Sequence, residues 1–139
     1  MKELNELIEN IKESEGFRGM PYDDTLGFAT IGYGTKLPLS KEESEAILKM
    51  RMDDKIIELS REYPQIAKMP KKVVEVLIEM SYQLGVSGLL KFKKTLQYLE
   101  NGDYENASIE MLNSRWAKQT PNRAKKLSDN IKEVSLLIL

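Results

Sequence analysis

The stretch EGFRGMPYDDTLGFATIGYG, residues 15–34, decides the fold that we expect for this chain. It holds five glycines and one proline within twenty residues, a density that is typical of short strands joined by tight turns. Residues 20–22 and 28–33 have the composition of strands, and residues 23–27 between them have that of a turn. The sequence therefore predicts a small antiparallel hairpin.

Helical patterns flank this hairpin on both sides. Upstream, apolar residues that recur at helical spacing predict an amphipathic helix over residues 3–13. Downstream, Ser40 with Glu43 three residues later forms a capping box, which indicates the start of a long helix that ends before Pro64. About five helices follow the hairpin in all, and we expect one of them to end at Gly85 in the left-handed αL conformation.

A two-stranded hairpin is only marginally stable alone, so we expect this hairpin to pack against the helices. We therefore predict an α+β, mainly α fold with two lobes, a small β-hairpin lobe and a larger helical lobe. A length of 139 residues suits a single domain. Within it we place the hairpin lobe at about 14–40, the connecting helix at about 40–62, and the helical lobe at about 64–139 together with the N-terminal helix.

The chain has neither cysteine nor histidine, and this excludes several kinds of chemistry. Disulfides, thiol nucleophiles, imidazole metal sites and Ser–His catalysis are all ruled out. An enzyme of this composition must move protons with carboxylates, or less often with lysine or tyrosine. We accordingly expect neither a metal ion nor any other cofactor.

The formal net charge of −1 hides an uneven distribution. Residues 1–62 carry nine basic and fourteen acidic side chains, whereas residues 63–126 carry eleven basic and six acidic ones. The basic half is suited to an anionic polymer, although an ordinary solvated surface explains the pattern equally well. Three lysines around Phe92 are too few to indicate binding to nucleic acid, and we expect no nucleic-acid partner.

Glu15, Asp24 and Thr30 form a set that is suited to glycosidic bond cleavage, with gaps of eight and five residues between them. A carboxylic acid near apolar groups keeps its proton and donates it, while a second carboxylate nearer water stays ionised and orients a water or acts as nucleophile. A threonine hydroxyl would help to hold that water. The spacing alone does not single out these residues, because the chain has 22 acidic residues and therefore many pairs of carboxyl groups. An aspartate is also common in turns for structural reasons.

Three blocks of sequence give a more specific signal than this spacing. They are E-G-F-R, Y-D-D and T-I-G-Y-G within residues 15–34, Y-Q-L-G at 82–85, and S-R-W with Q-T-P-N-R-A within 114–124. In this order they closely resemble segments of the T-even-type phage lysozymes, which are muramidases of glycoside hydrolase family 24. The resemblance covers most of the chain and implies a two-lobed, mainly helical lysozyme fold.

The resemblance also implies roles for the three residues. Glu15 matches the general acid, which protonates the leaving sugar oxygen. Asp24 matches the second carboxylate and Thr30 its partner, and in the family these two position a water on the opposite face of the sugar. The product then has inverted stereochemistry, and inverting enzymes separate their two carboxyl groups by about 6.5–9.5 Å to admit that water.

Substrate-binding positions follow from the same resemblance. They are Tyr82, Gln83, Thr95, Lys36 and Glu110. The first three match positions that contact the glycan. Lys36 falls where relatives line the cleft, and Glu110 replaces a family amide, so the sugar contacts at these two positions differ from those of relatives. Only five residues separate Gly34 from Ser40, which implies a smaller hairpin lobe than in T-even relatives.

Arg123 matches a family arginine that pairs with the catalytic glutamate. An adjacent cation favours the ionised form of a carboxyl group, which opposes the role of an acid. We therefore expect Arg123 to orient Glu15 and not to activate it.

The resemblance implies an endolysin-type lysozyme that hydrolyses the β-1,4 bond between N-acetylmuramic acid and N-acetylglucosamine in bacterial peptidoglycan and so lyses the host cell. Two alternatives stay open. One is a lytic transglycosylase of the same fold, in which the sugar's own hydroxyl attacks, and the other is a non-catalytic peptidoglycan-binding module. The presence of Asp24 and Thr30 favours hydrolysis, since a transglycosylase manages without a second carboxylate.

The charged N-terminus lacks the apolar middle of a signal peptide, and no apolar run is long enough to span a membrane. We therefore expect synthesis in the host cytoplasm, release through a holin-type membrane lesion, and action on the periplasmic cell wall. We also expect a monomer that does not insert stably into membranes.

Overall fold

The chain divides into two compact units, Met1–Ile47 and Leu48–Leu139, and the structure, a computed structural model, describes residues 2–137. Along the chain the elements are α1 (Lys2–Glu15), β1 (Arg18–Asp23), β2 (Ala29–Gly32), β3 (Thr35–Lys36), α2 (Lys41–Glu62), a 3₁₀ helix (Pro64–Lys68), α3 (Lys71–Leu84), α4 (Val86–Leu89), α5 (Lys93–Glu100), α6 (Tyr104–Leu112), α7 (Arg115–Gln119) and α8 (Pro121–Leu137). Helices with a small antiparallel sheet confirm the α+β, mainly α fold class. The lobe boundaries, and the placing of the N-terminal helix with the helical lobe, stay predictions.

The sheet of the first unit has three antiparallel strands in the order β1-β2-β3. The prediction of a two-stranded hairpin is therefore wrong by one strand. The reason is that β3 has only two residues, too few for an alternating pattern to show. Lys36 pairs with Thr30, which in turn pairs with Tyr22, so these three residues form one row across the sheet.

The capping box at the start of α2 is present. The Glu43 N–H donates to Ser40 Oγ at 3.0 Å, and the Ser40 N–H donates to Glu43 Oε1 at 2.9 Å. The bond from the Ser40 N–H is the main reason why the pKa of Glu43 lies below its ordinary value. Together the two bonds satisfy backbone donors that the helix itself leaves unpaired. α2 then ends at Glu62, ahead of Pro64 as predicted.

More helices follow the sheet than the sequence predicts. Residues 41–137 contain seven α-helices, where the pattern indicated about five. The helix α7, for example, has only five residues, too short for a helical period to show. Its signal is the N-cap: Ser114 Oγ accepts the Ala117 N–H at 3.1 Å and donates to the Met111 carbonyl at 2.8 Å.

Gly85 separates α3 from α4, but in a conformation that differs from the prediction. Its φ of 79° is positive as expected, whereas its ψ of 158° is far from the αL value of about 47°. This region of backbone space is open essentially only to glycine. The Gly85 N–H still closes the last turn of α3 by donating to the Ser81 carbonyl at 2.8 Å. The αL cap is therefore wrong, while the need for glycine is stronger than predicted.

The hydrophobic core of the second unit includes residues from α3, α6 and α8. Met80, Ala107 and Ile131, one from each of these helices, are fully buried. Removing a large apolar side chain from water contributes about 1.5–3 kcal/mol to stability. The Ser128 hydroxyl donates to the Ser108 carbonyl at 2.9 Å, which adds a buried polar link between α8 and α6. Within residues 2–137, no helix combines the length and the apolar character that a membrane span requires.

Replacing Ser40 by alanine removes the hydroxyl that accepts the Glu43 N–H. We expect the free energy of unfolding to fall by about 1 kcal/mol, as is usual for a lost N-cap. Ser60→Ala is the matched control, because Ser60 is exposed within the same helix and alanine is the better helix former. Urea denaturation measures both variants, and equal stability would contradict the contribution of the cap.

Candidate active site

Glu15 is the last residue of α1, and its carboxyl group lies against the backbone of Gly34. The helix ends here because Gly16 takes a positive φ of 70°, while its N–H donates to the Lys12 carbonyl at 2.9 Å. A Cβ atom added at Gly34 would lie 2.6 Å from Glu15 Oε2 and 2.7 Å from Glu15 Cδ. Gly34 therefore leaves the Glu15 carboxyl group a space that any other residue would fill.

Asp24 closes the turn between β1 and β2 with its side chain. Its Oδ1 accepts the N–H of Leu26 at 2.9 Å and that of Phe28 at 2.8 Å, and its Oδ2 accepts a hydrogen bond from the Lys36 ammonium group. An ionised carboxylate accepts about four hydrogen bonds, so these three leave one position, on Oδ2. The Asp24 carboxylate is thus fixed in direction but can still accept one further donor.

The ion pair between Asp24 and Lys36 shifts the pKa values of its two members in opposite directions. The pKa of Asp24 lies below its ordinary value, chiefly because of the Lys36 hydrogen bond and then because of the Phe28 N–H. The pKa of Lys36 is raised, chiefly by the hydrogen bond to Asp24, with smaller attractions from Glu15 and Tyr22. At neutral pH Asp24 is therefore a carboxylate, which can orient a water and cannot serve as a proton donor.

Thr30 is 1% exposed, in the central strand β2. Its hydroxyl donates to the Phe28 carbonyl at 2.8 Å, which leaves the lone pairs of the hydroxyl oxygen as acceptors. Glu15, Asp24 and Thr30, the three residues predicted to be catalytic, thus all belong to the first unit. Their individual roles stay predictions at this point.

Two of the predicted binding residues, Tyr82 and Gln83, line a pocket of about 580 Å³ in the second unit, which we call the Gln83 pocket. Arg123, which was predicted to orient Glu15, lines it as well. Its lining consists of Tyr82, Gln83, Arg123, Arg51, Asp54 and Lys55. Arg123 Nε donates to Glu79 Oε2 at 2.8 Å, an ion pair within the second unit that sequence reasoning missed. The orienting of Glu15 by Arg123 stays a prediction.

Thr95 and Glu110 line a separate groove of about 540 Å³ in the same unit, which we call the Thr95 groove. Thr95 is 3% exposed, and the apolar part of the groove is formed by Phe92 and Trp116, whose rings pack edge to face at 5.8 Å. Trp116 is buried, at 5% exposed. Its Nε1–H donates to Gln83 Oε1 at 2.9 Å, so one hydrogen bond joins the linings of the groove and the pocket.

Two contacts of the first unit were missed by sequence reasoning. The prediction made Lys36 a glycan contact, whereas the structure pairs it with Asp24, and nothing in the sequence pattern placed Gly34 against Glu15. Both contacts depend on the pairing of β3 with β2. In the part of the chain that the structure describes, no three acidic side chains are grouped as metal ligands would be.

Sites that hold two carboxyl groups in different environments are typical of glycosidases. The sequence model of the phage lysozyme family matches residues 12–131, and the chain therefore belongs to that family, which confirms the resemblance predicted from the sequence. Membership assigns it to the lysozyme-like glycoside hydrolases, for which peptidoglycan is the substrate class.

Individual relatives agree with this assignment. Probable T4-type lysozyme 1 of Dictyostelium discoideum is 30% identical, over 89% of this chain and 92% of its own length. Probable T4-type lysozyme 2 of the same organism is 28% identical over the same shares. The pre-baseplate central spike protein Gp5 of Enterobacteria phage T4 is 27% identical, over 88% of this chain and 27% of its own length.

Replacing Gly34 by alanine should displace the Glu15 carboxyl group. The added Cβ overlaps the far end of the flexible Glu15 side chain. That side chain can move aside at little cost in stability, but its carboxyl group then no longer occupies its present position. Since a displacement of about 1 Å at a reacting group can cost about 100-fold in rate, we expect a loss of that order in wall-clearing activity.

Gly32→Ala is the matched control, because Gly32 has a φ of 70° against 74° at Gly34 and its added Cβ meets nothing within 4 Å. Both variants carry a similar backbone strain of about 1–2 kcal/mol. We therefore expect urea denaturation to show a similar loss of stability in both variants, whereas only Gly34→Ala should lose wall-clearing activity strongly. Equal activities would show that Gly34 does not position Glu15.

Proposed function

We propose that this chain is a muramidase, which hydrolyses the β-1,4 bond between N-acetylmuramic acid and N-acetylglucosamine in bacterial peptidoglycan. One observation carries the proposal: the segment Gly34–Lys36 contacts both predicted catalytic carboxyl groups. Gly34 lies against Glu15, and Lys36 binds Asp24. Membership of the phage lysozyme family supports the substrate class.

In this proposal Glu15 is the general acid. Its carboxyl group stands at the exposed end of α1, where a glycosidic oxygen can approach. As the bond between the anomeric carbon and that oxygen breaks, the Glu15 proton passes to the oxygen and the leaving sugar departs neutral. Glu15 is left as a carboxylate.

Asp24 and Thr30 position the attacking water. The free acceptor position on Asp24 Oδ2 accepts a hydrogen bond from one O–H of the water, and Asp24 takes that proton as the water attacks. The Thr30 hydroxyl, which donates to the Phe28 carbonyl, accepts a hydrogen bond from the other O–H, whose proton stays on the product. The water oxygen then bonds to the anomeric carbon on the face opposite the leaving group. A single displacement of this kind inverts the anomeric configuration.

Host-cell lysis and holin-dependent access to the wall belong to the same proposal, as does a monomeric state. Their support is the resemblance of the three sequence blocks to phage lysozymes. The Gln83 pocket is proposed to contact the glycan through Tyr82 and Gln83, and the Thr95 groove through Thr95 and Glu110. Lys36 lines neither of the two.

The test is the loss of turbidity of outer-membrane-stripped Gram-negative cell walls with wild type and Glu15→Gln. Glutamine keeps the shape of the side chain but has no proton to give, so we expect the rate to fall by about 100- to 10,000-fold. Glu13→Gln is the matched control, since Glu13 is exposed in the same helix two residues upstream. It should clear walls at the wild-type rate.

Mass analysis of the products separates hydrolysis from its alternatives. Hydrolysis leaves a reducing sugar end and adds one water, whereas a transglycosylase leaves an anhydro-muramic end. Anhydro products would assign the chain to that second class. A folded wild type that binds walls without clearing them would instead indicate a binding module, and an unimpaired Glu15→Gln would remove Glu15 from the role of acid.

A further inference from the structure

Lys36 contacts one of the two proposed catalytic carboxyl groups directly. It pairs with Thr30 across β2 and β3, and the Leu37 N–H donates to the Ala29 carbonyl at 2.8 Å just beyond this pair. The strand pairing therefore fixes where the Lys36 side chain begins, and its ammonium group ends on Asp24 Oδ2. The side chains of the two partners are 59% and 15% exposed, so the carboxylate is the more enclosed partner.

We propose that Lys36 is a positioning residue, which fixes Asp24 as a water-orienting carboxylate and sets the acid limit of the reaction. The proposal rests on the proposed function of Asp24 and departs from the reading of Lys36 as a glycan contact. Lys36 acts through Asp24 and need not touch the substrate.

The lone pairs of the Asp24 carboxylate are almost all occupied. Two backbone N–H groups hold Oδ1, and the Lys36 ammonium group holds Oδ2, which leaves a single acceptor position. A carboxylate whose electrons are shared with three donors is a weak nucleophile toward carbon, but it still accepts one proton of a water. Lys36 therefore favours displacement by water over a covalent bond between Asp24 and the sugar.

The charged groups around this ion pair define its response to pH. Asp24 from the turn, and more weakly Glu15 from α1, attract the Lys36 ammonium group. Tyr22 from β1 contributes only as the phenolate and is uncharged in the acid range. Arg18 lies over the Tyr22 ring at 4.5 Å. The facing residue on β2, Thr30, is uncharged. Lys36 is thus the cation that contacts Asp24 directly, while the backbone N–H groups supply the rest of its stabilisation.

The sign of the pH effect follows from these contacts. The Lys36 hydrogen bond is the largest cause of the lowered pKa of Asp24. Without it the carboxyl group takes up its proton at a higher pH, and a protonated Asp24 no longer orients water as a base. Removing Lys36 should therefore move the acid limb of the rate profile to higher pH.

The first measurement needs no turnover. The ¹³C-labelled carboxyl group of Asp24 is titrated by NMR in the wild type, in Lys36→Met, in Lys36→Arg and in Lys41→Met. Lys41→Met removes the same charge from an exposed position at the start of α2 and serves as the control. We expect an upward shift of the Asp24 midpoint in Lys36→Met alone, with Lys36→Arg close to the wild type because arginine keeps the cation.

The second measurement is the pH profile of wall clearing by the same four proteins. We expect Lys36→Met to lose kcat by about 10- to 100-fold with little change in KM, since the loss is one of orientation. The acid limb of its pH profile should move to higher pH together with the NMR midpoint of Asp24. Lys36→Arg should restore both kcat and the position of the acid limb. A rise in KM with an unchanged kcat and an unchanged acid limb would return Lys36 to the role of a glycan contact and overturn the proposal.

The two measurements separate this proposal from the function on which it rests. An Asp24 midpoint that is the same in all four proteins overturns the role of Lys36, even where the walls are cleared normally. Absence of clearing by the folded wild type overturns the proposed function and with it the part of Lys36 in the reaction. In that case a shifted midpoint would still show that Lys36 holds Asp24 ionised.

Discussion

The backbone N–H and carbonyl of Phe28 hold together the turn on which the candidate site of the first unit is built. The Phe28 N–H donates to Asp24 Oδ1 at 2.8 Å, and the Phe28 carbonyl accepts both the Asp24 N–H at 2.9 Å and the Thr30 hydroxyl at 2.8 Å. The same three bonds close the turn between β1 and β2 and tie its two proposed water-positioning residues to one stretch of backbone.

The two carboxyl groups are held in different ways, and this difference suits different tasks. Asp24 is built into the backbone of a turn, so the bonds that form the fold also favour its ionised form. Glu15 stands at the end of a helix and is placed by the space that Gly34 leaves open. Asp24 is thereby held as an acceptor by the turn that it closes, whereas the Glu15 side chain takes no part in a turn. Environments that separate two carboxyl groups in this way are the usual basis of acid and base assignment.

Features with local signals could be predicted from the sequence, and those with long-range causes could not. The Ser40 capping box lies within four residues, so its spacing was sufficient to predict it. The proposed catalytic set lies within sixteen residues, and resemblance selected it there, while the roles of its members stay predictions. The strand β3 has two residues and becomes a strand only by pairing with β2. Because Lys36 reaches Asp24 and Gly34 meets Glu15 only after that pairing, both contacts escaped the sequence pattern. Gly85 was recognised as a required glycine, but its ψ of 158° differs from the αL conformation that the pattern indicated.

The hydrogen bond between Trp116 and Gln83 gives the second unit an internal optical reporter. Trp116 is the only tryptophan of the chain, so the indole emission, which selective excitation separates from that of the six tyrosines, comes from one ring. That ring lines the Thr95 groove with one edge against Phe92, and its Nε1–H is bonded to a residue of the Gln83 pocket. Indole emission is sensitive to both hydrogen bonding and solvent, so a sugar bound in either place would change its colour or intensity. The molecule therefore carries, without any added label, a signal that would report the filling of the Gln83 pocket or the Thr95 groove.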